Sequence, residues 1–116
     1  MKLLPHMVEI ETTDAYRDWY LDLEKREAAA VDRKVKMLQL LGLSLPFPHS
    51  SDVKGAKCPL RELRVNNPPI RVLYAFDPER RAVLIIGGDK TGDARFYERL
   101  IPQAERLWQE YLAQHR

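Results

Sequence analysis

The sequence is poor in cysteine and has no long apolar run. With one cysteine among 116 residues no internal disulfide can form, which is typical of a protein from a reducing cytoplasm. Cys58 is interpreted as a small, partly buried hydrophobe, because no histidine is placed by sequence to activate it. No stretch approaches the roughly 18 apolar residues of a membrane span, so no membrane partner is expected.

Neither sign of charge dominates the chain. It carries 19 Lys and Arg residues against 17 Asp and Glu residues, a formal net charge of +2 at pH 7. A mildly basic chain neither demands nor excludes nucleic acid, so the distribution of the charges must decide. No metal-ligand spacing is visible, and no metal or other cofactor is expected.

The length predicts one domain. A chain of 116 residues is large enough for one modest core and too small for two. We assign this domain to residues 7–116. Residues 1–6 precede a second methionine and are too short for a signal peptide, so they are interpreted as an N-terminal extension or a cloning remnant.

The order of periodic segments predicts an α+β fold, β-α-α-β-β-β-α. Residues 7–11 alternate as an edge strand, and residues 14–41 form two helices with apolar stripes. Residues 43–59 contain three prolines and no sustained period, so they are interpreted as a long loop. Residues 60–90 then form an antiparallel three-stranded meander that packs against the helical hairpin. A C-terminal helix follows, with Pro102 in its first turn.

Antiparallel pairing in this meander brings cations together. If the first hairpin closes between residues 65 and 70, Arg64 lies opposite Arg71. If the second closes between residues 76 and 82, Arg71 lies beside Gly87 and close to Lys90. Gly87 and Gly88 would leave room there for a ligand or another backbone. The sheet face away from the N-terminal helices is therefore predicted to be a shallow cavity with a cationic rim, which suits a phosphate.

The same cations have a structural interpretation. Glu62, Asp89 or Asp93 could pair with Arg64 and Arg71 in a surface ion network. More cations flank the region and could follow a polynucleotide backbone, although charged residues are usually only solvated. These candidate RNA-binding residues are Lys54, Lys57, Arg61 and Arg95.

Four short segments carry a more specific indication. They are LRELR at 60–64, IRVLYAF at 70–76, GGDKTG at 87–92 and FY at 96–97. Together they resemble the RelE superfamily of bacterial toxins, in particular its HigB-like, phage-derived branch, over about residues 7–112. The resemblance implies a compact α+β toxin of a type II toxin–antitoxin system. It also implies cleavage of mRNA in the ribosomal A site without a metal, by attack of a ribose 2′-hydroxyl on the adjacent phosphate.

The resemblance further implies roles for individual residues. Arg71 matches the family's phosphate-binding strand arginine, and Lys90 a cationic catalytic residue after the last strand. Tyr97 matches a tyrosine that orients a base or shares in proton transfer, although it could instead be a core residue. Arg64 would join these cations, which stabilise a phosphorane more than the ground state. Glu62 is the candidate general base, with ion pairing to the arginines as its alternative role.

Several assignments stay open at this point. His49, in the long loop, is a second candidate for the general base, after Glu62. Tyr74, Trp19 and Trp108 are assigned to packing or to an antitoxin surface.

Three functions are compatible with the sequence. The first is a cytoplasmic mRNA endonuclease whose partners are a helix-turn-helix antitoxin and ribosome-bound mRNA, with operator DNA reached only through the antitoxin complex. The second is a ParE-like toxin that inhibits gyrase or another protein and does not need the cation cluster. The third is a degenerate family member that acts only in autoregulatory DNA binding with its antitoxin.

Overall fold

Two helices near the N-terminus form the predicted helical hairpin in the computed structural model, which describes residues 7–115. Helix α1 spans Asp14–Leu21 and helix α2 spans Lys25–Leu41. Thr13 caps α1, because its hydroxyl accepts a hydrogen bond from a first-turn backbone N–H at 3.0 Å. Helix α2 begins with a capping box of two glutamates. The predicted extension at residues 1–6 lies outside the described residues.

Five strands form one mixed sheet. They are β1 (Ile10–Thr12), β2 (Ser50–Asp52), β3 (Arg61–Arg64), β4 (Ile70–Phe76) and β5 (Ala82–Asp89). Their order across the sheet is β1-β5-β4-β3-β2, in which β1 runs parallel to β5 and the other neighbours are antiparallel. The predicted α+β fold is therefore confirmed, with β1 at an edge as expected. That strand begins at Ile10 instead of Met7.

The segment between α2 and the meander contains more structure than the predicted loop. A 3-10 turn at Gly42–Ser44 follows α2, and β2 then pairs with β3. The buried Ser50 hydroxyl forms a hydrogen bond of 2.6 Å with the Tyr74 hydroxyl, which ties the edge strand β2 to β4. The prediction missed this strand because Ser-Ser-Asp has no apolar alternation.

The predicted strand register is correct in the first hairpin and wrong in part of the second. Arg64 lies opposite Arg71, as expected. In the β4–β5 pair the register shifts at a bulge after Leu73, so Arg71 pairs with Gly88 and not with Gly87. A bulge adds one residue to a single strand, and symmetric counting from the turn cannot detect it.

The two faces of the sheet are covered by different helices. Helices α1 and α2 cover one face, where Val31, Leu38 and Tyr74 are fully buried. Helix α3, at Phe96–Gln114, covers the apolar part of the other face, so the prediction that this whole face forms an open cavity is wrong. None of the helices within residues 7–115 is long and apolar enough to cross a lipid bilayer.

Helix α3 starts earlier than predicted. It begins at Phe96, and Pro102 lies in its interior, not in its first turn. The Asp93 carboxylate accepts the Arg95 backbone N–H at 3.1 Å, which supports the start of the helix. Phe96 and Leu100 are buried against the sheet, and this packing offsets the missing N–H of the proline.

The glycine pair of β5 allows the two helical layers to approach the sheet. A Cβ on Gly87 would lie 2.4 Å from the Trp19 ring, and one on Gly88 would lie 2.8 Å from the Phe96 ring. The space predicted for a ligand is thus filled by the protein's own aromatic side chains. Trp19 is a packing residue, as expected.

Candidate functional site

Glu62 lies at the centre of a polar cluster on the α3 face of the sheet. Its side chain projects from β3, and the residue is only 4 % exposed. One carboxylate oxygen accepts a hydrogen bond from the Tyr97 hydroxyl at 2.6 Å. The other accepts one from the Ser51 hydroxyl at 2.8 Å and one from Arg64 Nη1 at 3.1 Å. Three elements, β2, β3 and α3, therefore meet at one buried carboxylate.

Arg71, on the neighbouring strand β4, lies beside this carboxylate. The residue is 3 % exposed, and its Nη1 donates to the carbonyl oxygens of Val65 at 2.9 Å and Ile70 at 3.0 Å. Its Nε lies 3.9 Å from Glu62 Oε1 and donates no hydrogen bond within residues 7–115. Arg71 is thus placed beside Glu62 as a fixed, desolvated positive charge, and it is not open to solvent.

Tyr97 joins the cluster from the first turn of α3. The pKa of its phenol is raised by burial and by the hydrogen bond and negative charge of Glu62, and Arg71 opposes this rise only in part. The phenol therefore stays protonated at neutral pH. Lys90 Nζ lies 5.4 Å from the centre of the Tyr97 ring, which places a cation beside this proton donor.

A groove of about 350 Å³ opens next to the Glu62 cluster. Its lining includes Ser51, Lys54, Glu62, Arg64 and Tyr97. A larger cavity of about 540 Å³ lies at the other end of the sheet and contains none of the predicted site residues. We therefore consider the smaller groove to be the functional one, because the charged groups and hydroxyls converge there.

The structure separates the other predicted cations from this groove. Arg61 points to the opposite face of the sheet, where it pairs with Asp52 and donates to the Ser50 hydroxyl at 3.1 Å. The expectation that it belongs to the same surface is wrong, because neighbouring residues of a strand face opposite sides. Lys57 and Arg95 are exposed, and neither lines the groove.

The expected ion network exists only around Glu62. Asp89 accepts hydrogen bonds from the backbone and hydroxyl of Thr91, and Asp93 pairs with Arg99. One carboxylate therefore faces two arginines, and the cluster keeps an excess of positive charge. Within residues 7–115 no carboxylate pairs with Lys54 or Lys90.

The remaining candidates have structural environments. His49 Nδ1 lies 2.9 Å from Lys34 Nζ, so this ring interacts with α2 and not with the Glu62 cluster. Burial raises the pKa of the Cys58 thiol, with a smaller contribution from Glu105. Within the described part of the chain no group of His, Cys, Asp and Glu side chains is arranged to hold a metal ion.

Sequence reasoning missed Ser51 and Phe47. Ser51 enters the cluster through β2, the strand that the sequence did not predict. Phe47 lies just before that strand, and its ring contacts Arg64, whose Cζ is 5.3 Å from the ring centre. An aromatic residue between two prolines was the available indication for Phe47.

Comparison with known families shows which family the chain belongs to. A family model described as "Phage derived protein Gp49-like (DUF891)" matches residues 18–109, a span that contains the whole Glu62 cluster. The chain belongs to this family. The recognition made from the LRELR, IRVLYAF and GGDKTG segments is therefore confirmed.

Relatives of this Gp49-like chain carry toxin names. HigB3 of Mycobacterium tuberculosis, named as a candidate toxin, is 35% identical over 97 residues, which cover 82% of this chain and 85% of HigB3. HigB2 of the same organism, also named as a candidate toxin, is 30% identical over 101 residues, which cover 83% of this chain and 50% of HigB2. The chain therefore belongs with the HigB-like toxins.

Two solved structures share the fold of this HigB-like chain. The E. coli toxin RelE, a double-arginine mutant in the free state, matches with a TM-score of 0.59 at 9% identity, over 81% of this chain and 95% of that one. The RelBE2 toxin–antitoxin complex of Mycobacterium tuberculosis matches with a TM-score of 0.54 at 20% identity, over 72% of this chain and 98% of that one. At these identities the likeness concerns the fold.

Proposed function

We propose that this HigB-like toxin is an endoribonuclease that cleaves mRNA on the ribosome by attack of a 2′-hydroxyl on the adjacent phosphate. The observation that carries this proposal is the Glu62 cluster beside the groove. A carboxylate, a protonated phenol and several cations lie within reach of one another there. In-line phosphate chemistry needs these same three kinds of group.

The cations of the groove suit the phosphate. Arg64 and Lys54 line the groove, and Lys90 lies at the Tyr97 ring. Because Glu62 is shared between two arginines, it cannot neutralise them both, and positive potential is left for a substrate. The phosphorane carries more negative charge than the ground state, so preorganised cations lower the barrier.

Glu62 and Tyr97 suit the two proton transfers. The 2′-oxygen forms a bond to phosphorus while its proton passes to the Glu62 carboxylate. The bond from phosphorus to the 5′-oxygen breaks, and Tyr97, whose raised pKa keeps it protonated, donates a proton to this leaving oxygen. The products are a 2′,3′-cyclic phosphate and a free 5′-hydroxyl, and the proton gained by Glu62 returns to Tyr97 across their 2.6 Å hydrogen bond, so atoms and charges balance.

Arg71 acts in this proposal as a positioning residue. Unlike Glu62 it does not line the groove, and its Nη1 is already bonded to two carbonyl oxygens. Its Nε lies 3.9 Å from Glu62 Oε1, so its positive charge helps to orient the carboxylate. This modifies the phosphate-binding role that the family resemblance implied for Arg71.

The proposed partners are an antitoxin and ribosome-bound mRNA. The RelBE2 neighbour is named as a toxin–antitoxin complex, which supports a cognate antitoxin for this chain, expected to carry a helix-turn-helix. Strand β1 at the sheet edge is one surface to which a partner strand could add. Operator DNA would be reached through the antitoxin complex, and the cytoplasm is the proposed compartment.

The test uses the purified protein and ribosomes translating a defined mRNA, with the RNA ends mapped by primer extension. We expect codon-linked ends with the unaltered protein, and a loss of roughly 100-fold or more in the Arg64→Gln and Lys90→Met variants. Arg33→Gln and Lys36→Met are the matched controls, because both residues are exposed on α2, across the sheet from the groove. Cleavage that survives both groove substitutions would refute the proposal.

The ion pairing of Glu62 with two arginines leaves two alternative functions. Arg64 and Arg71 both contact this carboxylate, so the cluster could be purely structural in a RelE-like fold. The toxin would then act on gyrase or another protein, or would only regulate its operon with the antitoxin. Growth arrest with DNA damage and no new RNA ends would indicate the first case. Altered promoter binding without arrest would indicate the second.

A further inference from the structure

Phe47 occupies an unusual position beside Arg64, a residue that lines the groove. The residue is 70 % exposed, whereas its neighbours Leu45 and Ser50 are buried. The backbone N–H groups of His49 and Ser50 both donate to the Pro46 carbonyl, at 3.0 and 3.1 Å, and close a tight loop with Phe47 at its tip. These two hydrogen bonds fix the loop, and the Phe47 ring at its tip is exposed to solvent.

Arg64 connects this ring to the proposed catalytic cluster. The Arg64 backbone N–H donates to the His49 carbonyl at 2.9 Å, which ties the loop to β3. The Arg64 guanidinium lies 5.3 Å from the Phe47 ring centre on one side and donates to Glu62 at 3.1 Å on the other. The Arg64 side chain therefore contacts both the Phe47 ring and the Glu62 carboxylate.

The arrangement repeats at the other end of the cluster. Lys90 lies over the Tyr97 ring as Arg64 lies over the Phe47 ring, so two cation–aromatic pairs flank Glu62. A single-stranded nucleic acid presents the same alternation, with a phosphate between two bases. Exposed aromatic rings beside cations are the usual platforms on which unpaired bases stack.

A single exposed apolar residue is common on protein surfaces and needs no function. Leu43 illustrates this case, because it is 72 % exposed in the preceding turn and lies outside the groove. Phe47 differs in its contact with an arginine that lines the groove. The two residues therefore form a matched pair for experiment.

We propose that Phe47 is a stacking subsite for an unpaired nucleobase next to the phosphate held at Arg64. The inference rests on the proposed RNA cleavage and adds a base-binding position to it. The free face of the ring takes the base, and the face toward Arg64 keeps the ring in place. Such a site accepts any base, because each base has an aromatic face.

The test measures the binding of the full chain to ribosomes programmed with an mRNA whose A-site codon is 2′-deoxy and cannot be cleaved. An abasic nucleotide is placed at each codon position in turn, for the unaltered protein and for Phe47→Ala, Phe47→Trp and Leu43→Ala. We expect one abasic position to weaken binding of the unaltered protein about tenfold, as the loss of one stacked base should. Phe47→Ala should bind the intact codon about tenfold more weakly and be insensitive to that position.

Phe47→Trp should restore both the affinity and the sensitivity, and Leu43→Ala should match the unaltered protein. If Phe47→Ala responds to every abasic position as the unaltered protein does, the stacking subsite is refuted, even where cleavage of normal mRNA proceeds. If the coupling is present but normal mRNA is not cleaved, the subsite stands and the nuclease proposal fails. If the unaltered protein does not bind the programmed ribosome, both are refuted.

Discussion

The molecule contains two buried carboxylates that look alike and behave differently. Glu62 is 4 % exposed and Asp77, in the turn between β4 and β5, is 5 % exposed. Each accepts hydrogen bonds from an arginine and from a tyrosine hydroxyl of α3. What differs is the remainder of each environment, and this difference separates a structural carboxylate from the one for which we propose a role in chemistry.

Asp77 is enclosed by fixed donors. One oxygen accepts the backbone N–H groups of Glu79 and Arg81, both at 2.9 Å, and the other accepts Arg81 Nε at 2.8 Å and the Tyr111 hydroxyl at 3.1 Å. Burial alone would raise the pKa of Asp77, but the bonds from Arg81 and Tyr111 outweigh it and the pKa is lowered. Burial and Asp77 in turn raise the pKa of Tyr111 to about 12.

Within residues 7–115, the hydrogen-bond donors to the Glu62 carboxylate are all side chains. Two of its donors, on Ser51 and Tyr97, are hydroxyls that can rotate and also accept, and the carboxylate borders the groove. Asp77 has no comparable freedom, because backbone amides cannot move without opening the turn. The comparison suggests that Glu62 can exchange a proton with a substrate, whereas Asp77 fastens the β4–β5 turn to α3.

The largest expected effect is on cleavage by the Glu62→Gln variant. The amide cannot act as a base, so we expect the rate of mRNA cleavage, corrected for the folded fraction, to fall by roughly 100-fold to 10,000-fold. The variant should also be less stable, because Arg64 and Arg71 lose the anion they share. Primer extension measures the cleavage, and urea unfolding measures the stability.

Glu62→Asp is the control for charge. It keeps the anion between the arginines but shortens the side chain and moves the carboxylate away from Tyr97. Stability should return more fully than cleavage. If Glu62→Gln cleaves mRNA as fast as the unaltered protein, Glu62 has only a structural role, as Asp77 does.

A smaller effect, on stability alone, is expected for Asp77→Asn. The amide oxygen can still accept the two backbone N–H groups, but the NH2 that replaces the other oxygen cannot accept from Arg81 Nε or from the Tyr111 hydroxyl, so a buried donor is left without an acceptor. We expect the free energy of unfolding to fall by about 2 kcal/mol. Cleavage per folded molecule should stay unchanged, because the turn lies outside the groove. A loss of cleavage at equal folded fraction would break the contrast with Glu62.

The sequence predicted the parts of this contrast that follow from regular pairing. The opposition of Arg64 and Arg71 requires only the hairpin between residues 65 and 70 and the two-residue period of a strand. The helical hairpin likewise follows from apolar stripes and from the cap at Thr13. Glu62 could be recognised as a partner of the arginines because it shares their face.

The rest depends on contacts between segments that are distant in sequence. The bulge after Leu73, the polar strand β2 and the burial of Arg71 follow from how the layers pack. Pro102 suggested a late start for α3, but the packing of Phe96 and Leu100 overrode that local preference. Phe47 was missed because a loop residue shows no periodicity, although it contacts the site.

The smallest expected effect is the pH dependence of the Asp77 contribution. Its pKa in the folded chain is lowered, so the unfolded chain binds a proton at higher pH than the folded chain does. The stabilisation is therefore complete above the ordinary aspartate pKa of about 3.9 and is lost as the pH falls through the lower folded-state value. Urea unfolding of the unaltered protein and of Asp77→Asn at pH 6, 4, 3 and 2 isolates this group, because the other carboxylates are common to both. The difference in stability should be constant from about pH 6 to pH 5 and should shrink below about pH 4. A gap that stays constant down to pH 2 would mean that the charge of Asp77 contributes nothing, and that the turn needs only a hydrogen-bond acceptor.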